Sequence, residues 1–281
     1  VAASTTFAQD GLTSKKGEAY LPEAGDWSIG IDANPLMNYV GNLANAGNNT
    51  GVLKASWLAD NNAIYFKMFK DENTAYRAQL RLGFGSETLK NSFDTSGTTN
   101  QAFITDEMKT SERNVVLGFG IEKRRGNTRI QGVYGAQLMI GLSGKKDTYT
   151  YADNFDDNHT AWSTDFFDDV NTTVDEASES ASNGNRMTEK TYGSTFMFGL
   201  QGFIGVEWFF APKVSLGAEY TWGISYASTG EGEEVNERWG TTTGATANSV
   251  IISTDSTPGG KSEFGIDTGL SGANISLNFH F

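Results

Sequence analysis

The chain has 281 residues, is 38% hydrophobic and 12% aromatic, and carries a formal net charge of −13. That balance argues against nucleic acid as a partner, because neutralising phosphates needs a basic face. No window approaches the ~20 apolar residues of a transmembrane helix, and the absence of cysteine removes disulfide and thiol chemistry.

A mean hydropathy of −0.40 does not exclude a membrane barrel, which carries its apolar residues at every second position. Thirty-three Gly against four Pro suit tightly packed strands. The opening Val1–Ala8 reads as the tail of a secretory signal, with Thr6 and Ala8 before a cut ahead of Gln9. Residues 1–25 are therefore expected to be a signal remnant and a periplasmic segment, and 26–281 a barrel.

From there alternation of apolar and polar residues predicts eight strands. Two short ones span Trp27–Ala33 and Ile64–Met68. Next, Tyr76, Ala78, Leu80, Leu82 and Phe84 alternate with Arg77, Gln79, Arg81 and Gly83, and Val115, Leu117, Phe119 and Ile121 with Asn114, Gly118, Gly120 and Glu122. The fifth runs from Ile130 to Leu142, the sixth from Phe196 to Trp208 and the seventh from Val214 to Tyr226. The last, Ala273 to Phe281, alternates to its terminal aromatic residue. Connections at 70–73, 124–127 and 211–212 are short, and those at 34–62, 86–112, 144–193 and 229–262 are long. Strict alternation of short and long predicts an antiparallel, eight-stranded, up-and-down transmembrane β-barrel with tight periplasmic turns and long extracellular loops.

Two segments, Asp26–Asn42 and Tyr65–Gly85, resemble the outer-membrane β-barrel proteins common in the Bacteroidota. The second matches that family's K-x-F, acidic turn, T-A-x-R pattern at Lys67, Phe69, Asp71, Thr74, Ala75 and Arg77. The resemblance implies an outer-membrane barrel of a Gram-negative bacterium and carries no catalytic residues. Asp255-Ser256-Thr257 fits an O-glycosylation pattern associated with the resembling bacteria.

Inward parity collects Asp32, Glu122, Glu207 and Glu219 with Lys67, Arg77, Arg81 and Arg129, four acids and four bases. Eight strands enclose a space that side chains just fill, and an isolated buried charge costs several kcal/mol. These residues are expected to pair into a network that closes the periplasmic half of the lumen.

Chemistry-bearing motifs are few. His280 has inward parity and reads as a wall residue, and no Ser–His–Glu arrangement is visible on neighbouring strand positions. His159 sits beside Asp156, Asp157 and Asp165 in the third long loop, where eleven acids face four bases. Its spacing lacks a calcium-loop signature, so a solvated acidic surface is expected, with no metal and no cofactor. Trp162, Phe166 and Phe167 in that loop are residue types that anchor interfaces and are expected to bind a partner. Leu36, Met37, Tyr39, Val40 and Leu43 repeat the theme in the first loop.

The sequence therefore predicts a non-enzymatic barrel acting by contact, as a structural protein or accessory subunit of an outer-membrane complex for export, barrel insertion or nutrient uptake. Its expected partners are outer-membrane lipid, lipopolysaccharide and other surface proteins. A small, porin-like diffusion channel is the alternative, and a loop-borne surface enzyme or binder is a third reading without a recognisable constellation.

Overall fold

The computed structural model describes residues 12–33, 63–94, 103–152, 185–243, 245–257, 259–267 and 273–281. These form twelve antiparallel strands: β1 (Trp27–Asp32), β2 (Ile64–Asp71), β3 (Thr74–Asp94), β4 (Phe103–Arg125), β5 (Ile130–Thr150), β6 (Asn185–Thr191), β7 (Thr195–Ala211), β8 (Val214–Thr229), β9 (Gly232–Gly240), β10 (Ser249–Thr257), β11 (Lys261–Asp267) and β12 (Ala273–His280). No helix occurs among the described residues.

Eight of the twelve close into a ring, in the order β1–β2–β3–β4–β5–β7–β8–β12 and back to β1. Closure is made by the two ends of the strand set. Ser28 lies opposite His280, and the Trp27 and Phe281 backbones exchange hydrogen bonds at 3.1 and 2.8 Å. The terminal alternation of the sequence is thus the seam that leaves no unpaired edge there.

At one end three tight connections join the strands. The last is a two-residue turn in which Pro212 is followed by Lys213 in the left-handed region at φ 60°. The segment before β1 lies under this end. Gly25 donates to the Phe69 carbonyl and Phe69 to that of Asp26, both at 2.8 Å, and Lys213 pairs with Asp26.

The opposite end departs from the expected loops. β3 and β4 stay in unbroken register from Thr74↔Lys123 to Asp94↔Phe103, so most of 86–112 is strand. The stretches 144–193 and 229–262 likewise contain the end of β5, all of β6, and β9 with β10. β5 forks: Ile130–Ser143 pairs with β7, while Lys146–Thr148 pairs with β6, which carries β9 and β10 outward as an added sheet. The physical reason is that, apart from Val250–Ile252 on β10, both faces of these extensions are largely polar. A period-2 hydropathy signal disappears, while Thr, Ser and Val still favour an extended backbone. β8 also divides its partner, pairing with β12 along Val214–Tyr220 and with β11 along Gly223–Thr229.

Side chains sort by parity across the ring. Most Ile, Leu, Phe and Val of the ring point outward and stay exposed, as along Leu138, Ile140 and Leu142. Gln131, Val133, Gln137 and Met139 on the same strand are buried inside.

Candidate functional site

The interior of the ring near its tight-turn end holds a continuous set of charges. Six residues on five strands supply it at inward parity: Lys67 on β2, Arg77 on β3, Glu122 and Arg124 on β4, Glu207 on β7 and Glu219 on β8. Lys67 Nζ lies 2.9 Å from Glu122 and 3.2 Å from Glu207. Arg124 bridges the same two acids at 2.9 and 2.8 Å and donates through Nε to Gln131 Oε1 at 2.8 Å. Arg77 meets Glu219 in a two-pronged contact at 3.2 and 2.9 Å, with Glu122 3.6 Å away. All six are almost wholly buried, so three cations face three carboxylates and no charge is left without its opposite.

Aromatic rings wall the network. The Arg77 guanidinium lies 4.0 Å from the Phe203 ring centroid, and that of Arg124 lies 5.1 Å from Phe69 and 5.6 Å from Phe209. Phe69, Phe203 and Phe209 are themselves buried to 1% or less exposure. Room for these long side chains comes from glycine directly across the ladder: Gly120 opposite Arg77, Gly135 opposite Glu122, Gly217 opposite Glu207 and Gly205 opposite Glu219. A Cβ on Gly135 would come within 2.7 Å of Phe203 Cζ, and one on Gly205 within 2.9 Å of Glu219 Cγ.

Most of the expected network is assembled here, with two differences. Lys67, Arg77, Glu122, Glu207 and Glu219 meet as their parity implies. Asp32 is half-buried at the end of β1, and Arg81 is buried two inward positions beyond Arg77 on β3. Arg129 is not a member. It precedes β5, is exposed, and lays its guanidinium 3.8 Å from the Tyr20 ring centroid in the segment under the ring. Its place is taken by Arg124, which lies in the 124–127 connection expected from the sequence but belongs to β4. β4 runs on to Arg125, and Arg124 shares the parity of Glu122 two residues earlier, which was the available signal.

Contrary to the expectation from the sequence, a Ser–His–Glu cluster does occur on neighbouring strands, with Glu207 on β7, Ser215 on β8 and His280 on β12. Ser215 Oγ lies 3.0 Å from His280 Nε2, Glu207 Oε1 lies 3.4 Å from the same nitrogen, and Ser215 also donates to Glu207 directly. In a hydrolytic triad the imidazole bridges serine and acid through its two different nitrogens. Here Nε2 meets both and Nδ1 has no hydrogen-bond partner among the described residues. Asn278 Nδ2 adds a donation to Glu207 at 3.2 Å, so this cluster extends the charged network.

Trp162, Phe166, Phe167 and His159 lie outside the described residues, as do the acids at 153–169 and the apolar cluster at 36–43. Ser256 is exposed on β10. The chain matches no protein-family model and none of the curated proteins compared with it.

Proposed function

We propose that this chain is an integral outer-membrane β-barrel of a Gram-negative bacterium, related to the Bacteroidota barrels that its second hairpin resembles. It acts by contact, as a structural protein or accessory subunit of an outer-membrane complex. The observation that carries this reading is the closed eight-strand ring whose outward face is apolar and whose interior is filled with paired charge. A protein surrounded by water rarely exposes a contiguous apolar patch above a few hundred Å², yet exposed Ile, Leu, Phe, Val, Tyr and Trp run around every strand of the ring.

Two aromatic rows bound that face. Trp27, Phe66 and Phe281 stack at the turn end, with ring centroids 6.1 and 4.6 Å apart, and Trp208 with Phe210 continues the row. Phe84, Phe196, Phe198 and Tyr226 mark the other end. Phe198 and Trp208 are ten positions apart on β7. That is about 33 Å along a strand, or about 25 Å across the membrane at a tilt near 40°, the height of an outer-membrane apolar band. Both ends of the strand set then lie on the periplasmic side.

The filled interior favours a closed lumen over a channel. The extended β3–β4 hairpin and the added β6–β9–β10 sheet project beyond the band and supply the surface for other proteins. Gentle detergent extraction followed by mass spectrometry is expected to recover a stoichiometric envelope partner, and planar bilayers are expected to show no steady conductance. Purification alone under those conditions, together with a stable open pore, would replace the contact role by the channel.

A further inference from the structure

Going up the outward face of β4, the apolar residues Phe119, Leu117 and Val115 give way at once to Arg113, Ser111 and Lys109. On β5 the change falls at the same level, where Leu138, Ile140 and Leu142 are followed by Gly144 and Lys146. Register places Lys146 directly opposite Ser111, with Arg113 and Lys109 two positions to either side of that serine. Three cations thus surround one hydroxyl, with diagonal neighbours within about 7–8 Å at the backbone.

Arg113 is held across the sheet. A Cβ on the facing Gly144 would lie 2.9 Å from its Nε, and its Nη2 donates to Ser194 Oγ at 2.9 Å. A hollow of about 670 Å³ opens over the group, lined also by Phe84 and Tyr192. Glu112, whose side chain has the opposite parity, is the one acid among the described residues lining it. Lys146 pairs with Glu189 at 2.6 Å, but both are about half or one-third exposed, and such pairs contribute little. In a chain of net charge −13, a cationic cluster placed at the upper edge of the apolar band is set for an anion carried by lipid.

We propose that Lys109, Ser111, Arg113 and Lys146 bind the phosphate groups of an outer-leaflet glycolipid. This deepens the membrane reading above and rests on it. Arginine supplies a planar two-pronged donor to phosphate and lysine a movable point charge, while the exposed Phe84, opposite Arg113 across the ladder, lies beside the acyl chains. That apolar neighbour distinguishes a lipid headgroup from a free anion.

The test uses the full chain in nanodiscs of neutral phosphatidylcholine doped with lipid A, either phosphorylated or enzymatically dephosphorylated, with retained lipid read by native mass spectrometry. Phosphorylated lipid A should be retained at least about tenfold better than the dephosphorylated form, as expected if each of several cations contributes at a membrane surface. The triple variant K109Q/R113Q/K146Q should lose that preference while keeping heat-modifiable gel mobility, and K70Q at the turn end should keep it. Equal retention of the two lipids, or a triple variant that binds like the parent, would overturn the proposal. If inorganic phosphate binds alone with the same dependence on the three cations and displaces the lipid, the site belongs to a soluble anion and the lipid assignment falls. A chain that never co-elutes with nanodiscs would overturn the membrane reading, and this one with it.

Discussion

Glu207 touches more of the interior than any neighbour. It accepts from Lys67, Arg124, Ser215 and Asn278 and lies beside His280. Removing one member of a buried ionic cluster leaves its partners charged in a poorly solvated space, which costs far more than losing an exposed pair. Glu207→Ala is therefore expected to destabilise the folded ring by roughly 3–5 kcal/mol, whereas Glu263→Ala, at the exposed Lys261 pair, should change it by no more than about 0.5 kcal/mol. Urea unfolding in detergent, followed by the loss of heat-modifiable mobility, gives both numbers. Equal effects of the two substitutions would show that the cluster is not what holds the interior.

Strands β6, β9 and β10 take no part in closing the ring, because β5 reaches β7 below the fork where β6 attaches. Glu234 on β9 pairs with Asp255 on one side and Lys190 on the other. A proline there removes a ladder donor and is expected to loosen the added sheet while leaving ring closure intact. Amide exchange should then accelerate over 232–257 and stay slow over 196–208. Loss of protection in both segments would make the added sheet part of the closing structure.

These elements also mark how far the sequence could be read. Where a long run kept one face apolar, alternation located the strand and its inward residues, as for Tyr76 to Phe84 and Phe196 to Trp208, whereas the short apolar pairs Val250/Ile252 on β10 and Phe264/Ile266 on β11 were missed. Beyond the band neither face is apolar, so the continuations of β3, β4 and β5 and the whole of β9 carried no periodic signal. At the turns the margin is a single residue pair. Arg124 belongs to β4 and enters the interior, while Arg129 falls short of β5 and stays outside. Contacts between adjacent strands, such as Ser215 on β8 with His280 on β12, depend on strand order and register, which alternation within one strand does not encode. The glycines facing Arg77, Glu122, Glu207 and Glu219 were visible as letters, but their purpose appears only once strands are paired.

At the scale of the whole molecule, the proposed function requires the outward face of the ring to meet hydrocarbon. The chain contains no cysteine, so single cysteines introduced along β5 carry a nitroxide label without ambiguity. The decisive measurement is spin-label accessibility in lipid vesicles at positions 133 to 142, with molecular oxygen as the apolar collider and a nickel chelate as the aqueous one. Labels at Tyr134, Leu138, Ile140 and Leu142 should be open to oxygen and closed to nickel. Those at Val133, Gln137 and Met139 should be poorly reached by either, because the interior is filled. A nickel chelate that reaches position 138 as readily as exposed Glu263 would contradict the membrane-spanning ring.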